Sequence, residues 1–562
     1  MKSRLGIFAC YLGDGGEVEK YIIYLLQDML RNLDSLIIVC NGELSNEGRG
    51  RLEEFSDAVI VRENRGLDAA AWQFAMTKLL GWEKVQKYDE LVLFNDTFFG
   101  PFYPFSQVFE KMDRMSVDFW GLTCHYEAGN FLGNSPYGYV PTHIQSYFTV
   151  IGKRLLRSNE FRRYWDELPV FDSFSDAVGK HEIVFTRHFQ DEGFTWSVYV
   201  DASSRKSSGR GCNYNFCAYE PYWLVAEKKL PILKKKNFTY STSLYLRKSY
   251  GNEMHRCMEY IERHTNYDVN LIWDYILKRD NITDVFNVIN LRHVLPVNFA
   301  PVLNKNILNK TLVILCVDFI DNIDFIKKYL LCIPEEIHVL LVTSSDVVLK
   351  SLHTCFDDLQ HVEIRRAENT GKIFLAKSEY IYHVVNEYKY VCVVHDEDVS
   401  GNVDISSITR RDHQEGVWEN LLGSKEYILN VLQLFEMNKR MGMAVVPPSS
   451  HSVYGDDIGN LWAGCFEYLI RFATQLRLSV PIDEGKAPIQ VGNSFWFRRE
   501  ALQILFNNIS FCDGVLEESG GLDDNKMCAI ELLCPFVAQQ NGYYTAMIFT
   551  PSQASIYLRN NK

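Results

Sequence analysis

The side chains able to do chemistry gather in short polar clusters, each placed just after an apolar run. Asn41 closes the run Ser35–Cys40, Glu63-Asn64-Arg65-Gly66-Leu67-Asp68 follows Ala58–Val61, and Asn95-Asp96 follows Leu91–Phe94. Amides and carboxylates of this kind suit the base and ribose of a sugar nucleotide, and an acid among them can hold a divalent cation against a diphosphate. Asn and Asp also cap helices and close turns; the order of the three clusters along the chain is what favours a ligand site. Glu182 comes much later, after His143-Ile144-Gln145-Ser146-Tyr147-Phe148, and opens a segment with helical character. A carboxylate entering a cleft there is placed to take the proton of an acceptor hydroxyl. Its neighbour His181 is the alternative base, and an exposed helical glutamate is the plain alternative.

For these clusters to meet, the apolar runs must be strands of one sheet. Leu5–Tyr11 reads as a buried strand, and Val18, Tyr21, Ile22, Leu25, Leu26, Met29 and Leu33 recur on one helical face. Ser35–Cys40, Ala58–Val61 and Leu91–Phe94 supply further strands, with a helix over Ala69–Leu80. Strands alternating with helices predict a mostly parallel sheet covered on both faces, with ligands bound outside the carboxyl ends of its strands. The order then returns: strand Leu312–Val317, helix Asp321–Leu331, strands Ile337–Thr343 and Val362–Arg365, and strand Tyr390–Val394. Glu63-Asn64-Arg65-Gly66 answers Glu368-Asn369-Thr370-Gly371, and Asn95-Asp96 answers His395-Asp396. Glu182 precedes Gly193 by the same eleven residues that separate Glu531 from Gly542. Two copies of long period predict tandem domains rather than a solenoid.

Composition sets the outer bounds. With 562 residues, 47% of them hydrophobic, the chain can fill two or three cores. A net charge of −13 leaves no excess of Lys and Arg for a nucleic-acid backbone. The 14 cysteines include no CxxC pair, which fits buried thiols in a reducing compartment. The apolar run Leu5–Leu12 is too short for a signal peptide, and no stretch approaches the ~18 apolar residues of a membrane span, so a cytoplasmic protein is expected. In the middle of the chain Arg205, Lys206, Arg210, Lys228, Lys229 and Lys234 to Lys236 are interleaved with Tyr222, Trp223, Phe238 and Tyr240. This pattern suits anionic lipid headgroups or a lipid-pyrophosphate acceptor, and equally a solvated basic surface over core aromatics.

At these residues the chain resembles the rhamnan synthesis protein F family over nearly its whole length. The motifs are Glu63–Asp68, Asn95-Asp96-Thr97-Phe98-Phe99-Gly100-Pro101, Asp118-Phe119-Trp120-Gly121-Leu122-Thr123 and His143–Phe148 in the first half. In the second they are Trp418–Ile428, Phe495-Trp496-Phe497-Arg498, Phe536-Val537-Ala538-Gln539 and Gly542-Tyr543-Tyr544. Asn95-Asp96 also resembles the Asp-x-Asp motif of A-type glycosyltransferases, with one carboxylate, which leaves a Mg²⁺ or Mn²⁺ requirement at Asp96 open. The resemblance implies an α/β chain with two A-type glycosyltransferase domains, residues 1–205 and 308–555, joined by a basic and helical segment, 206–307. It implies inverting transfer of L-rhamnose from dTDP-rhamnose to a lipid-linked glycan, at the inner membrane face. Asn41, Glu63, Asn64, Arg65, Asp68 and Asn95 would then bind the donor, with Asp96 and Glu182 catalytic and His143, Gln145 and Tyr147 on the acceptor side. The second half departs from the family pattern, with Ile373 where the first has Asp68 and with Glu531 in Cys528-Ala529-Ile530-Glu531-Leu532. Asp396-Glu397-Asp398 is still a formal Asp-x-Asp, so Asp396, Asp398 and Glu531 are second-domain candidates. A non-catalytic scaffold of a polysaccharide-assembly complex and a two-site polymerase are the alternatives.

Overall fold

Arg4–Tyr11 forms strand β1, and seven of its eight residues are buried, as a run apolar on both faces requires. It pairs in parallel with β2 (Ser35–Asn41) and with β4 (Glu90–Asn95), while β3 (Ala58–Arg62) adds in parallel to β2. The computed structural model describes residues 2–131, 133–205, 214–239, 251–367, 379–399, 405–448, 462, 464–490, 492–508 and 524–560. Lys206, Arg210, Tyr240 and Glu368 to Ile373 lie outside the described residues. The chain divides into two compact units, residues 1–272 and 273–562.

In the first unit the seven-stranded sheet runs Trp196–Val198, Phe119–Gly121, Phe148–Gly152, β4, β1, β2, β3, and Phe148–Gly152 alone is antiparallel to its neighbours. The chain leaves β1 and β4 toward opposite edges, which makes their carboxyl ends the switch point where an open α/β sheet binds ligands. Helix α1 (Lys20–Met29) lays Tyr21, Ile22, Leu25, Leu26 and Met29 onto the sheet, all at most 1% exposed. Each such side chain contributes up to about 1.5–3 kcal/mol. Helix α2 (Asn46–Glu53) joins β2 to β3, and the helix expected over Ala69–Leu80 is α3 (Leu67–Phe74), followed by a π-helical turn over Ala75–Leu80.

In the second unit an eight-stranded sheet runs Arg292–Val294, Tyr544–Phe549, Met441–Val445, Phe495–Arg498, Tyr390–His395, Thr311–Cys316, His338–Thr343, Val362–Arg366. Phe495–Arg498 is again the antiparallel member, so the strand order matches the first sheet with one edge strand added. The motifs of this half secure the architecture. The indoles of Trp418 and Trp496 donate to the carbonyls of His395 and Leu421 at 3.0 and 3.1 Å. The Asn420 amide oxygen accepts from the Thr550 N–H at 2.8 Å, and the buried Arg498 reaches the carbonyls of Phe435 and Met441 and the Tyr390 hydroxyl. Residues 206–307 are shared out between the units: Phe216–Tyr219 and Leu233–Lys234 belong to the first, and Ile282–Ile289 and Arg292–Val294 to the second. Among the described residues no helix is long and apolar enough to cross a membrane.

The amino ends of β1 and β4 are tied by charge. Arg4, 8% exposed, holds Glu90 at 2.6 Å and Asp113 at 2.7 Å, and Lys2 bonds the same two carboxylates at 2.6 and 2.8 Å. Glu90 is 3% exposed, so removing its buried partner leaves a desolvated charge poorly compensated. Arg4→Ala is expected to cost about 3 kcal/mol, read as an earlier transition in urea unfolding, with the chemistry at the opposite end of the sheet untouched.

Candidate active site

The carboxyl ends of β1, β2 and β4 and the start of α3 bring Asn41, Asp68, Asn95 and Asp96 together. The turn after β3 achieves this through two left-handed residues, Gly66 at φ 78° and Leu67 at φ 54°. A Cβ on Gly66 would meet the Ala70 Cβ at 2.6 Å, and Leu67 bears a strain of about 1–2 kcal/mol. The buried Asn41 holds this turn: its amide nitrogen donates to the Leu67 carbonyl at 3.2 Å, and its oxygen accepts from Arg62 at 2.7 Å. Asp68 is thereby set in the first turn of α3, where its carboxylate accepts from the Asn95 amide at 2.6 Å. Burial, with Asp96 close by, pushes the Asp68 carboxyl up to about 7, against the Asn95 bond and the charges of Lys234 and Lys235. Glu63, Asn64 and Arg65 sit exposed on the loop before it.

Lys234 and Lys235, part of the basic run that the sequence offers equally to anionic lipid and to solvent, are turned into this site. Leu233–Lys234 pairs antiparallel with Phe98–Phe99, and the Lys235 N–H donates to the Thr97 carbonyl at 3.0 Å. Gly100 makes the pairing fit, because the Pro231 carbonyl lies 2.4 Å from where a Cβ would stand. Lys235 Nζ forms an ion pair with Asp96 at 2.8 Å and reaches the Tyr21 hydroxyl at 3.0 Å. Lys234 Nζ donates to the Thr97 hydroxyl at 2.6 Å and lies 4.1 Å from the centre of the Tyr147 ring. Burial pulls the Lys234 ammonium down to about 8, while the charges of Glu182 and Asp68 hold it up. Among the described basic residues of the segment, Arg205 and Lys228 lie over Trp223 and Lys229 lies between Tyr103 and Tyr260.

Past Tyr147 the site continues to Glu182, which ends a π-helical turn (Val178–Glu182), a local irregularity common at functional sites. One carboxylate oxygen accepts from both the N–H (3.1 Å) and the hydroxyl of Ser146. The other lies 3.9 Å from His143 Nε2, whose Nδ1 is bonded to the Pro141 carbonyl at 2.7 Å. Burial raises the Glu182 carboxyl, but His143 and Ser146 together outweigh it and hold the group at about 2. Its side chain is 22% exposed, so it is a fixed, ionised and accessible carboxylate rather than a loose surface one. His181 is different: it is buried among Tyr164, Trp165, Phe171 and Phe185, bonds the Tyr164 hydroxyl at 2.9 Å, and is lowered by burial to about 4. It is a histidine of the aromatic core, held in its neutral form by burial. Tyr147 and Gln145 converge on the Thr123 hydroxyl at 2.6 and 2.8 Å.

The residues around Asp96 do not fit a divalent cation. Asn95 is committed to Asp68 and Thr97, and one Asp96 oxygen already carries the Lys235 ammonium. A divalent ion about 4 Å from that ammonium would be repelled by about 8 kcal/mol even at an effective dielectric constant of 20. Among the described residues no three His, Cys, Asp or Glu side chains are grouped to hold a metal. In the second unit both oxygens of Asp396 are taken up by the N–H groups of Asp318 and Phe319 and by Asn322, at 2.9 to 3.1 Å. Burial nonetheless raises that carboxyl to about 6. Glu397 faces His413 at 3.5 Å, Asp398 is exposed, and Glu531 lies partly buried within helix Asp524–Gln540.

A mostly parallel sheet with carboxylates, amides and ammonium groups collected past its switch point defines an α/β protein with a polar ligand site. The chain belongs to the rhamnan synthesis protein F family, whose sequence profile matches residues 36–543. The Sinorhizobium fredii protein y4gN is 24% identical over 169 residues, which are 30% of this chain and 42% of that curated relative's length. Solved structures overlap parts of the chain. Core-mannan synthase A of Aspergillus fumigatus in its Mn/GDP form is 11% identical, with a TM-score of 0.18, over 29% of this chain and 63% of that one. The mannosyltransferase Ktr4p of S. cerevisiae is 12% identical, with a TM-score of 0.20, over 32% and 62%.

The raised Asp68 carboxyl has a consequence for stability. The fold favours its protonated form, so the stability it contributes is full below about pH 4 and is lost as pH rises through about 7. Asp68→Asn is expected to flatten that decline and to exceed the parent by roughly 2 kcal/mol near pH 8, measured by denaturant unfolding across a pH series.

Proposed function

We propose that the first unit is an A-type glycosyltransferase domain that moves a sugar from a nucleotide donor to a hydroxyl acceptor by one inverting displacement. The donor is dTDP-L-rhamnose and the acceptor a lipid-linked glycan at the inner membrane face, a reading supported by membership of a family described by rhamnan synthesis. The observation that carries the chemistry is one row of side chains: Asp68, Asn95 and Asp96 joined through Thr97, Lys234 and Tyr147 to Ser146 and Glu182. Asp68, Asn95 and Asp96 line the donor side, with Asn41 fixing the turn and Glu63, Asn64 and Arg65 at the rim. The acceptor oxygen attacks the anomeric carbon and a new carbon–oxygen bond forms. The bond from that carbon to the phosphate oxygen breaks, its electron pair leaves with the diphosphate, and the hydroxyl proton passes to Glu182. His143, Gln145 and Tyr147 flank the acceptor. A carboxyl at about 2 is ionised at every working pH but is a modest base, which suits a proton transferred late, once the new bond is well advanced.

The second unit is proposed as a diverged domain of the same kind that serves the acceptor or the assembly, since Asp396 is occupied by backbone donors. Incubation with dTDP-rhamnose should raise the melting temperature, because a ligand confined to the folded state stabilises it. Glu182→Gln is expected to lower turnover ~100-fold or more with donor affinity within about 2-fold. Wild-type turnover in that variant would remove Glu182 from the mechanism. Glu531→Gln, by contrast, should leave single-sugar transfer close to the parent rate, and its loss there would move the reaction to the second unit.

A further inference from the structure

The donor's diphosphate carries the charge that grows as the glycosidic bond breaks, and some cation must meet it. At the carboxyl edge of β4 that cation is already part of the chain. Lys235 is 16% exposed, its backbone is pinned to Thr97, and its ammonium rests on Asp96. Lys234 beside it is oriented by the Thr97 hydroxyl and the Tyr147 face. An ammonium has three donors, and Thr97 takes one of those on Lys234. Together the two side chains bring a formal charge of +2, equal to that of Mg²⁺, to the place where the donor set fails to fit a metal.

Granting the transferase reading above, we propose that Lys234 and Lys235 bind the donor diphosphate directly, and that transfer proceeds without a divalent cation. In the resting site Asp96 is the ion-pair partner of Lys235, and the diphosphate joins it on binding. As the bond between the anomeric carbon and the phosphate oxygen breaks, its electron pair stays on that oxygen beside the two ammonium groups. No proton is needed from either lysine. Lys234 is suited to this because the charges of Glu182 and Asp68 keep it largely protonated at neutral pH despite burial.

Calorimetric titration of the full chain with dTDP, UDP and GDP tests this, after chelation and again with Mg²⁺ or Mn²⁺ added. At least one of these nucleoside diphosphates is expected to bind, with an affinity that changes less than ~2-fold between the two conditions. Lys234→Met and Lys235→Met should each weaken binding ~10-fold or more, the usual size of a lost charge-assisted bond, while Lys235→Arg keeps most of it. Thermal unfolding checks that each variant is folded. If neither methionine variant folds, Asp96→Asn decides. Retained affinity there supports the lysines, and loss of affinity overturns them in favour of a carboxylate-held cation. Binding that appears only with added metal overturns the proposal and leaves the transferase reading standing. Absence of binding to all three nucleotides, with and without metal, overturns both.

Discussion

Two carboxylates, Asp68 and Asp96, stand close together at the dry carboxyl edge of a parallel sheet, and the first unit is arranged around the need to neutralise them. Burial raises the cost of charging Asp68, and the nearby Asp96 adds to it. The compensation arrives from more than a hundred residues away in sequence, through a two-residue pairing that delivers Lys234 and Lys235. Several local features then share one cause. Gly100 admits the Pro231 carbonyl, Thr97 receives both the backbone of Lys235 and the ammonium of Lys234, and Tyr21 on α1 completes the shell around Asp96. The Asn95–Pro101 motif is therefore as much a docking edge for the basic segment as a bearer of polar side chains.

The parallel strands around β1 and their counterparts in the second sheet could be read from the sequence because short, mostly apolar runs leave little choice but a buried strand, whereas the strands beyond β4, such as Phe119–Gly121 and Phe148–Gly152, were not read. Asn41, Asp68, Asn95 and Asp96 were legible for the same reason, since the end of each run marks the edge where ligands bind. The roles of individual groups were not. Asn41 looks like a donor ligand in sequence, and in the structure its amide nitrogen is bonded to the Leu67 carbonyl and its oxygen to Arg62. His181 and Glu182 are neighbours with opposite fates, because at the end of a π-helical turn one side chain enters the aromatic core and the other meets Ser146 and His143. Lys234 to Lys236 read equally as a lipid-docking run and as a solvated one. The signal that separates Lys234 and Lys235 from Lys236 is the apolar Pro231-Ile232-Leu233 just ahead, all buried, which draws the next two residues inward and leaves Lys236 exposed.

The two sheets share a strand order but the family motifs do different work in each. In the first unit Asn95-Asp96 and His143–Phe148 present groups toward a cleft. In the second, Trp418, Asn420, Trp496 and Arg498 turn their polar atoms onto backbone carbonyls and amides, which satisfies buried groups and fixes helices to strands. The glycines that close the late helices, Gly193 and Gly542, adopt nearly the same left-handed angle, φ 83° and 82°. The same turn geometry thus occurs in both units, with Asp191-Glu192 just before one glycine and Gln540-Asn541 before the other.

The long reach from Asp96 to Lys235 also bears on how the first unit comes to be folded as it is made. The last strand of its sheet is complete at Val198, so the core cluster on one face of the sheet can close while the chain that bears the lysines is still in the ribosome. At ordinary rates of synthesis roughly 2–7 seconds separate the two. During that interval Asp68 and Asp96 face each other without their counter-charges. The nascent domain then has its sheet but lacks the packing of Phe238 on Phe99 and of Tyr267 on Phe102, and the segment after Val200 finishes both that second layer of core and the candidate site.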